Sequence, residues 1–324
     1  MQNEQVIIVG GGPCGLSAAI ALEKSGIKPL VIEKGNIVNA IYNYPTHQTF
    51  FSSSEKLEIG GVPFITENRK PVRNQALAYY REVVRRKQVR VNAFEKVLEV
   101  NKVADNTFKV ITTKGDYQAE NIVIATGYYD HPNYLNIPGE NMDKVFHYFK
   151  EAHPYFDNDV VVIGGKNSSV DAALELHKAG ARVTVIYRGS QYSESIKPWI
   201  LPEFESLVRN NHITMVFNGN VKEITETKVM YEVNGKRESI KNDFVFAMTG
   251  YHPDHNFLEK MNVMIDNHTG RPIFDEVTME TNVEGLYIAG VIAAGNNANE
   301  IFIENGRFHG ELITESIIQK KHNS

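Results

Sequence analysis

Between Val6 and Glu33 the chain reads VIIVGGGPCGLSAAIALEKSGIKPLVIE, and no other stretch constrains the fold as tightly. Val6-Ile7-Ile8-Val9 is a short β-branched run of the kind that forms a buried parallel strand. Gly10, Gly12 and Gly15 then make a G-x-G-x-x-G turn that encloses Pro13 and Cys14. Leu16 to Lys24 reads as a helix, and Pro29 to Glu33 as a second strand that ends on an acid. In such a unit the first glycine makes the tight turn, the second lets the backbone approach a pyrophosphate, and the third lets helix and strand pack closely. The helix N-terminus offers free N–H groups and the positive end of its dipole to the anion. Glu33 lies 18 residues past Gly15, where a carboxylate can accept hydrogen bonds from an adenosine ribose, and Lys34 follows it. Strand, turn, helix, strand and acid in register predict a βαβ dinucleotide-binding unit.

The pattern recurs. Val160 to Ile163 is a strand, GGKNSSVDAALELHKAG follows from Gly164, and Val183 to Tyr187 is the next strand. Gly164 lies 154 residues after Gly10, and Arg188 lies 155 after Glu33, so the chain carries an internal duplication. In the second turn, Gly164 is kept, Lys166 and Ser169 replace the later glycines, and Asn167 and Ser168 lie between them. Arg188 replaces the acid. It can pair with the 2′-phosphate that separates NADP from NAD, or it is a solvated strand end. Lys166 adds charge beside a pyrophosphate or points to solvent. Two further segments, IVIATGYYDHP (Ile122 to Pro132) and FVFAMTGYHPD (Phe244 to Asp254), echo each other as strands that close each region. Pro132, Pro138 and Gly139 mark a first crossing of the chain, and Pro253 a second. The expected fold class is α/β with two Rossmann-like dinucleotide-binding domains, the second inserted in the first. Residues 1–130 and 253–324 form one domain and 131–252 the other. Thr107 to Tyr117 reads as a hairpin. Leu286 to Ala289 is a closing strand ending at Gly290, and Glu300 onward reads as a long helix. That helix either aims its positive end at a bound flavin or simply closes the fold.

Composition narrows the function. The 324 residues suggest roughly two domains. A net charge of -5 gives no basic bias toward nucleic acid or an anionic membrane. The leading MQNEQ has no Lys or Arg, so no secretory signal is expected, and Gly10 to Gly12 and Gly15 split the first apolar stretch. Cys14 is the sole cysteine, which excludes an internal disulfide, a CxxC pair and a multi-cysteine metal site, and fits the reducing cytoplasm. The 11 histidines show no metal-ligand spacing. No G-x-S-x-G, H-E-x-x-H or GK[ST] motif is present. Arg81 to Arg90 reads as the solvated face of a helix.

With GGGPCG, the ATG of Ala125, Thr126 and Gly127, GGKNSSVDAALEL and LYIAG, nearly the whole chain resembles the two-dinucleotide flavoproteins, which include thioredoxin reductases and flavin monooxygenases. VGGGPCGLSAA, the segment NYPTHQTFFSSSEKLEIGG and LYIAGVIAAG resemble, more narrowly, the YpdA-type bacillithiol disulfide reductases. The resemblance implies FAD on the first domain, NADPH on the second, a small-molecule disulfide as substrate, a homo-oligomer, and Cys14 as the active residue. Three departures stand out. Val291 follows Gly290 where the family has an Asp for the flavin ribityl chain. The inserted domain has no CxxC. The Baeyer–Villiger linker signature fails at Asp143 and Glu151 around His147.

The implied chemistry passes a hydride from NADPH to flavin, then two electrons to a small disulfide, a quinone-like molecule or oxygen. Cys14 at a helix N-terminus is favoured as a thiolate, while the pyrophosphate opposes that. It is either the nucleophile or a small buried hydrophobe in the turn. Tyr42, Tyr44, His47, Phe50, Phe51 and Tyr128 either wall the flavin and substrate pocket or belong to the core.

Overall fold

The computed structural model describes residues 2–104, 107–297 and 299–323. The chain divides into two compact units, Met1–His131 with Tyr251–Ser324, and Pro132–Gly250.

The first unit opens with β1 (Gln2–Val9), which passes through the glycine turn into α1 (Pro13–Lys24) and returns in β2 (Pro29–Ile32). The strands pair in parallel, Val6 opposite Pro29 and Val9 opposite Ile32, and all four residues from Val6 to Val9 are buried. The helix begins at Pro13, three residues earlier than Leu16. Proline has no N–H to lose and its φ suits the first helical position, so α1 starts inside the turn and places Cys14 in its first turn. A one-turn α2 (Asn39–Tyr42) and α3 (Arg73–Lys87) follow, then β3 (Val91–Asn92). Helix α3 buries Ala76, Tyr79, Tyr80 and Val83 and exposes Arg81, Arg85 and Arg86. It stops at Gln88, whose φ of 52° is left-handed, so the basic run is a helix face only as far as Lys87. Strands β4 (Val97–Ala104), β5 (Thr107–Thr112) and β6 (Asp116–Ile124) form an antiparallel meander. Strand β6 also lies parallel to β1 along nearly its whole length, with Tyr117 opposite Gln2 and Ile122 opposite Ile7.

The second unit repeats the scheme. It contains β7 (Val145–Phe146), β8 (Asp159–Ile163), α4 (Asn167–Lys178), β9 (Arg182–Ile186), α5 (Leu201–Arg209) and β10 (Ile213–Val216). An antiparallel trio, β11 (Gly219–Ile224), β12 (Lys228–Val233) and β13 (Lys236–Lys241), precedes β14 (Phe244–Ala247). The parallel sheet runs β10-β9-β8-β14-β7. Its two faces are covered separately: Val160, Val162, Val183 and Val185 enter one core, and Val161, Ile163, Ile186 and Val245 another. This alternation under apolar cover on both sides is why β8 and β9 are continuous β-branched runs.

The chain then completes the first unit with α6 (His255–Lys260), β15 (Leu286–Ile288), α7 (Ile303–Gly306) and α8 (His309–Asn323). Strand β15 lies parallel to β6, Leu286 opposite Ile122. Both units therefore share the open parallel order of doubly wound dinucleotide-binding folds, β3-β2-β1-β6-β15 matching β10-β9-β8-β14-β7. The long helix expected from Glu300 is broken. A single 3-10 turn, Val291–Ala294, follows β15, α7 is one turn long, and the full helix begins only at His309. Gly290 at φ 80° and Gly295 at φ 59° bracket the 3-10 turn and prevent helical continuation. Helix α8 crosses α1 closely: a Cβ on Gly310 would lie 2.4 Å from Ala18 Cα. No helix among the described residues is long and apolar enough to cross a membrane.

Candidate functional site

The first fingerprint assigns each glycine a distinct role. Gly10 has φ +110°, and a Cβ there would lie 2.5 Å from Ala125 O. On Gly15 a Cβ would lie 2.1 Å from Gly10 O, so this glycine lets helix and strand touch. A Cβ on Gly12 would meet nothing within 4 Å. The open position is the one where backbone must approach a ligand. Leu16 N–H closes the first intrahelical bond, to Gly12 O at 2.9 Å, which leaves the N–H groups of Cys14 and Gly15 at the helix end. Glu33 is buried, and its two oxygens accept from Gly11 N–H at 2.7 Å and Gly35 N–H at 2.8 Å. Each oxygen keeps a further lone pair. Lys34 pairs with Asp130 at 2.7 Å.

Cys14 is half-buried, with its thiol between two glycines. A Cβ on Gly290 would come within 2.9 Å of Cys14 Cβ and 3.0 Å of Sγ, and one on Gly306 within 3.0 Å of Sγ. Burial, reinforced by the Glu304 carboxylate, pushes the thiol up to about 12. The sequence leaves the charge of this thiol open between the helix end and a pyrophosphate; burial in the fold favours the neutral form. Gly290 N–H donates to His309 Nδ1 at 3.2 Å, and burial holds that imidazole below its ordinary value, so it is neutral near pH 7. Ser52 Oγ donates to Glu304 Oε1.

Of the aromatic candidates, Tyr44 stands against Tyr129 (5.2 Å, edge-on) and Phe50 (6.2 Å), and Tyr129 and Tyr128 approach Tyr251 at 4.7 and 6.1 Å. Desolvation raises the Tyr44 and Tyr128 hydroxyls, so both stay neutral donors. Tyr42 is exposed with Arg73 over its ring at 5.3 Å, and His47 and Phe51 are exposed.

In the second unit Gly164 has φ +139° and lies against Met248 O and Ser169 Oγ. Ser169 is fully buried at the third-glycine place and its hydroxyl donates to Met248 O at 3.3 Å. Asn167 is a strut: its Nδ2 donates to Ser195 O at 2.8 Å and its Oδ1 accepts from Lys197 N–H at 2.9 Å. Lys166, Ser168 and Arg188 are exposed. The Tyr187 ring lies over Gly165 and Gly189, where added Cβ atoms would sit 2.3 and 2.4 Å from it.

A family model described as "Pyridine nucleotide-disulphide oxidoreductase" matches residues 7–290. The chain belongs to that family. It is 70% identical over 324 residues to the "Bacilliredoxin reductase Bdr" of Bacillus subtilis (strain 168), covering 99% of this chain and 100% of the relative. The solved "Bacillithiol Disulfide Reductase Bdr (YpdA)" structures from Bacillus cereus and Staphylococcus aureus superpose with a TM-score of 0.97 each, at 72% and 62% identity. They cover 98% and 99% of this chain and 100% of theirs. The narrower resemblance read from VGGGPCGLSAA, NYPTHQTFFSSSEKLEIGG and LYIAGVIAAG therefore holds. A thioredoxin reductase from T. acidophilum, 22% identical with a TM-score of 0.79, shares the fold.

As a pyridine nucleotide-disulphide oxidoreductase the chain is a flavoprotein oxidoreductase with FAD and NADPH as cofactors. Its residues fit FAD. Gly12 has the open space a pyrophosphate would need, Glu33 has free lone pairs a ribose could use, and the buried Thr126 hydroxyl of the Ala125-Thr126-Gly127 turn has no partner among the described residues. Sequence reasoning missed Ser52, Glu304, Gly306 and His309. Glu304 and Gly306 fall in a segment read as an uninterrupted helix, and no motif marked them.

Proposed function

We propose that this oxidoreductase uses NADPH to reduce bacillithiol disulfide, a low-molecular-weight disulfide, with Cys14 as the thiol that meets it. The observation that carries the reading is the position of the sole cysteine: it lies in the first turn of α1, within the glycine turn that fits FAD, and against Gly290. FAD, when bound, supplies the two-electron relay from the nicotinamide to the disulfide. Gly10, Gly12, Pro13, Gly15, Glu33, Lys34, Ala125, Thr126, Gly127 and Gly290 would hold it. Gly164, Lys166, Asn167, Ser168, Ser169 and Arg188 would hold NADPH, with the exposed Arg188 guanidinium toward the 2′-phosphate. On this reading residues 131–252 serve NADPH and the flanking segments serve FAD. Cys14 Sγ attacks one sulfur of the disulfide and the other leaves as a thiol; two electrons then release the second thiol and restore Cys14. The neutral Tyr44 and Tyr128 hydroxyls are donors for that region. A cytoplasmic homo-oligomer is the proposed state, which light scattering on the purified protein decides.

The similarity to the bacilliredoxin reductase of Bacillus subtilis supports a second acceptor, the disulfide of a bacilliredoxin. Steady-state NADPH oxidation separates the two. Turnover with bacillithiol disulfide alone supports the first reading, and turnover only on adding oxidised bacilliredoxin supports the second.

A further inference from the structure

The place that Glu33 fills in the first unit is filled by Tyr187 in the second. Each residue directly follows the second strand of its βαβ motif, where Ile32 lies opposite Val9 and Ile186 opposite Ile163. Gly10 N–H donates to Ile32 O at 2.9 Å, and Gly164 N–H donates to Ile186 O at 3.0 Å. Glu33 N–H donates to Asn92 O of β3, and Tyr187 N–H donates to Val216 O of β10, both at 2.9 Å. The side chains also take matching positions. Glu33 accepts from the N–H groups of Gly11 and Gly35, and the Tyr187 ring lies over Gly165 and Gly189. Each of these pairs is separated by the same 154 residues that separate Gly10 from Gly164. In the fold the acid's counterpart is therefore Tyr187, one place before the Arg188 expected from the sequence, and Arg188 matches Lys34.

The ring is built into this position. A Cβ on Gly165 would lie 2.3 Å from Tyr187 Cγ, and one on Gly189 would lie 2.4 Å from Cε1 and 2.9 Å from the hydroxyl oxygen. Neither glycine has a positive φ, so the backbone does not require glycine there. What requires it is the room the ring takes. A carboxylate at this place accepts hydrogen bonds from a ribose 2′-hydroxyl, and it would set like charge against a 2′-phosphate. Tyr187 brings no carboxylate, and the exposed Arg188 and Lys166, which flank it in the strand end and the turn, are both cationic. We propose that Tyr187 is a specificity-determining residue: its ring holds the acid's place, which admits an adenosine ribose carrying a 2′-phosphate and leaves Arg188 as the partner of that phosphate. The proposal rests on the reading that residues 131–252 serve NADPH.

The test titrates NADP⁺ and NAD⁺, which carry no hydride to pass on, into FAD-loaded wild type, Tyr187→Glu, Tyr187→Gln and Tyr187→Phe by calorimetry. In Tyr187→Glu the dissociation constant for NADP⁺ should rise at least about tenfold, because like charges then face each other, while NAD⁺ should bind more tightly. Tyr187→Gln has the length of Glu without its charge and should keep the wild-type preference for NADP⁺. Tyr187→Phe keeps the ring and should match wild type with both nucleotides. A Tyr187 that only packs the fold would weaken both nucleotides alike in the Glu and Gln variants. That result, or an unchanged preference in Tyr187→Glu, overturns the proposal. Melting curves without nucleotide check that each variant is folded. Should Tyr187→Glu not fold, Tyr187→Asp and Tyr187→Asn take the place of the Glu and Gln pair: loss of the preference in Asp alone upholds the proposal, and equal loss in both overturns it. Lys166→Glu reverses a charge in the turn itself and should weaken both nucleotides. Unchanged binding of both in that variant would instead overturn the placement of NADPH on this unit.

Discussion

At the scale of single residues, Cys14 is held by what surrounds it. Its folded value, about 12, lies above the 9.0 of an ordinary thiol. The fold favours the neutral thiol, so the stabilisation is complete below pH 9 and is lost as pH rises from 9 through 12. Thermal denaturation should therefore show wild type losing more stability than Cys14→Ala across that window; parallel curves would mean that the thiol is not desolvated. Gly306 is equally constrained. In Gly306→Ala the new methyl would face Sγ at 3.0 Å, Ile301 Cγ2 at 3.1 Å and Gly290 Cα at 3.2 Å. Such overpacking costs about 1–3 kcal/mol, measurable as a lower urea midpoint. A neutral result would show that α7 yields.

At the scale of elements, the two βαβ units divide structure from binding. Gly15→Ala would drive a methyl to 2.1 Å from Gly10 O and should destabilise the apoprotein. Gly12→Ala has open space and an extended φ of -74°. It should cost the apoprotein no more than about 1 kcal/mol while lowering FAD affinity at least tenfold, read by fluorescence titration. Equal FAD affinity in Gly12→Ala would remove the pyrophosphate from that position. In the second unit Arg188→Ala should raise the KM for NADPH about tenfold and leave that for NADH unchanged, as expected for loss of one charge-assisted contact. Equal effects on both nucleotides would make Arg188 a solvated strand end. These units were legible in the sequence because glycine turns and β-branched runs are local patterns with local causes. The break after Gly295 was not legible. It depends on Gly290 and Gly295 holding positive φ and on α7 seating against Cys14 and Ser52, contacts between residues some 250–290 positions apart in the chain. For the same reason, the charge of the Cys14 thiol stays open in the sequence, where only the local helix end and pyrophosphate are visible: its burial comes from distant segments at Gly290 and Gly306.

At the scale of the whole molecule, a duplicated dinucleotide fold carries one cysteine and no second thiol to pair with it. Electrons that reach this chain must leave to a separate acceptor, and the family and the Bdr relatives point to a disulfide. The most direct test reduces the FAD-loaded protein anaerobically with NADPH and follows flavin absorbance after adding bacillithiol disulfide and then oxidised bacilliredoxin. The account predicts reoxidation of wild type on the first addition, two thiols formed per NADPH, and none in Cys14→Ala. Flavin that stays reduced through both additions yet recovers at once on admitting air would contradict it and make this protein an oxygen-using flavoenzyme.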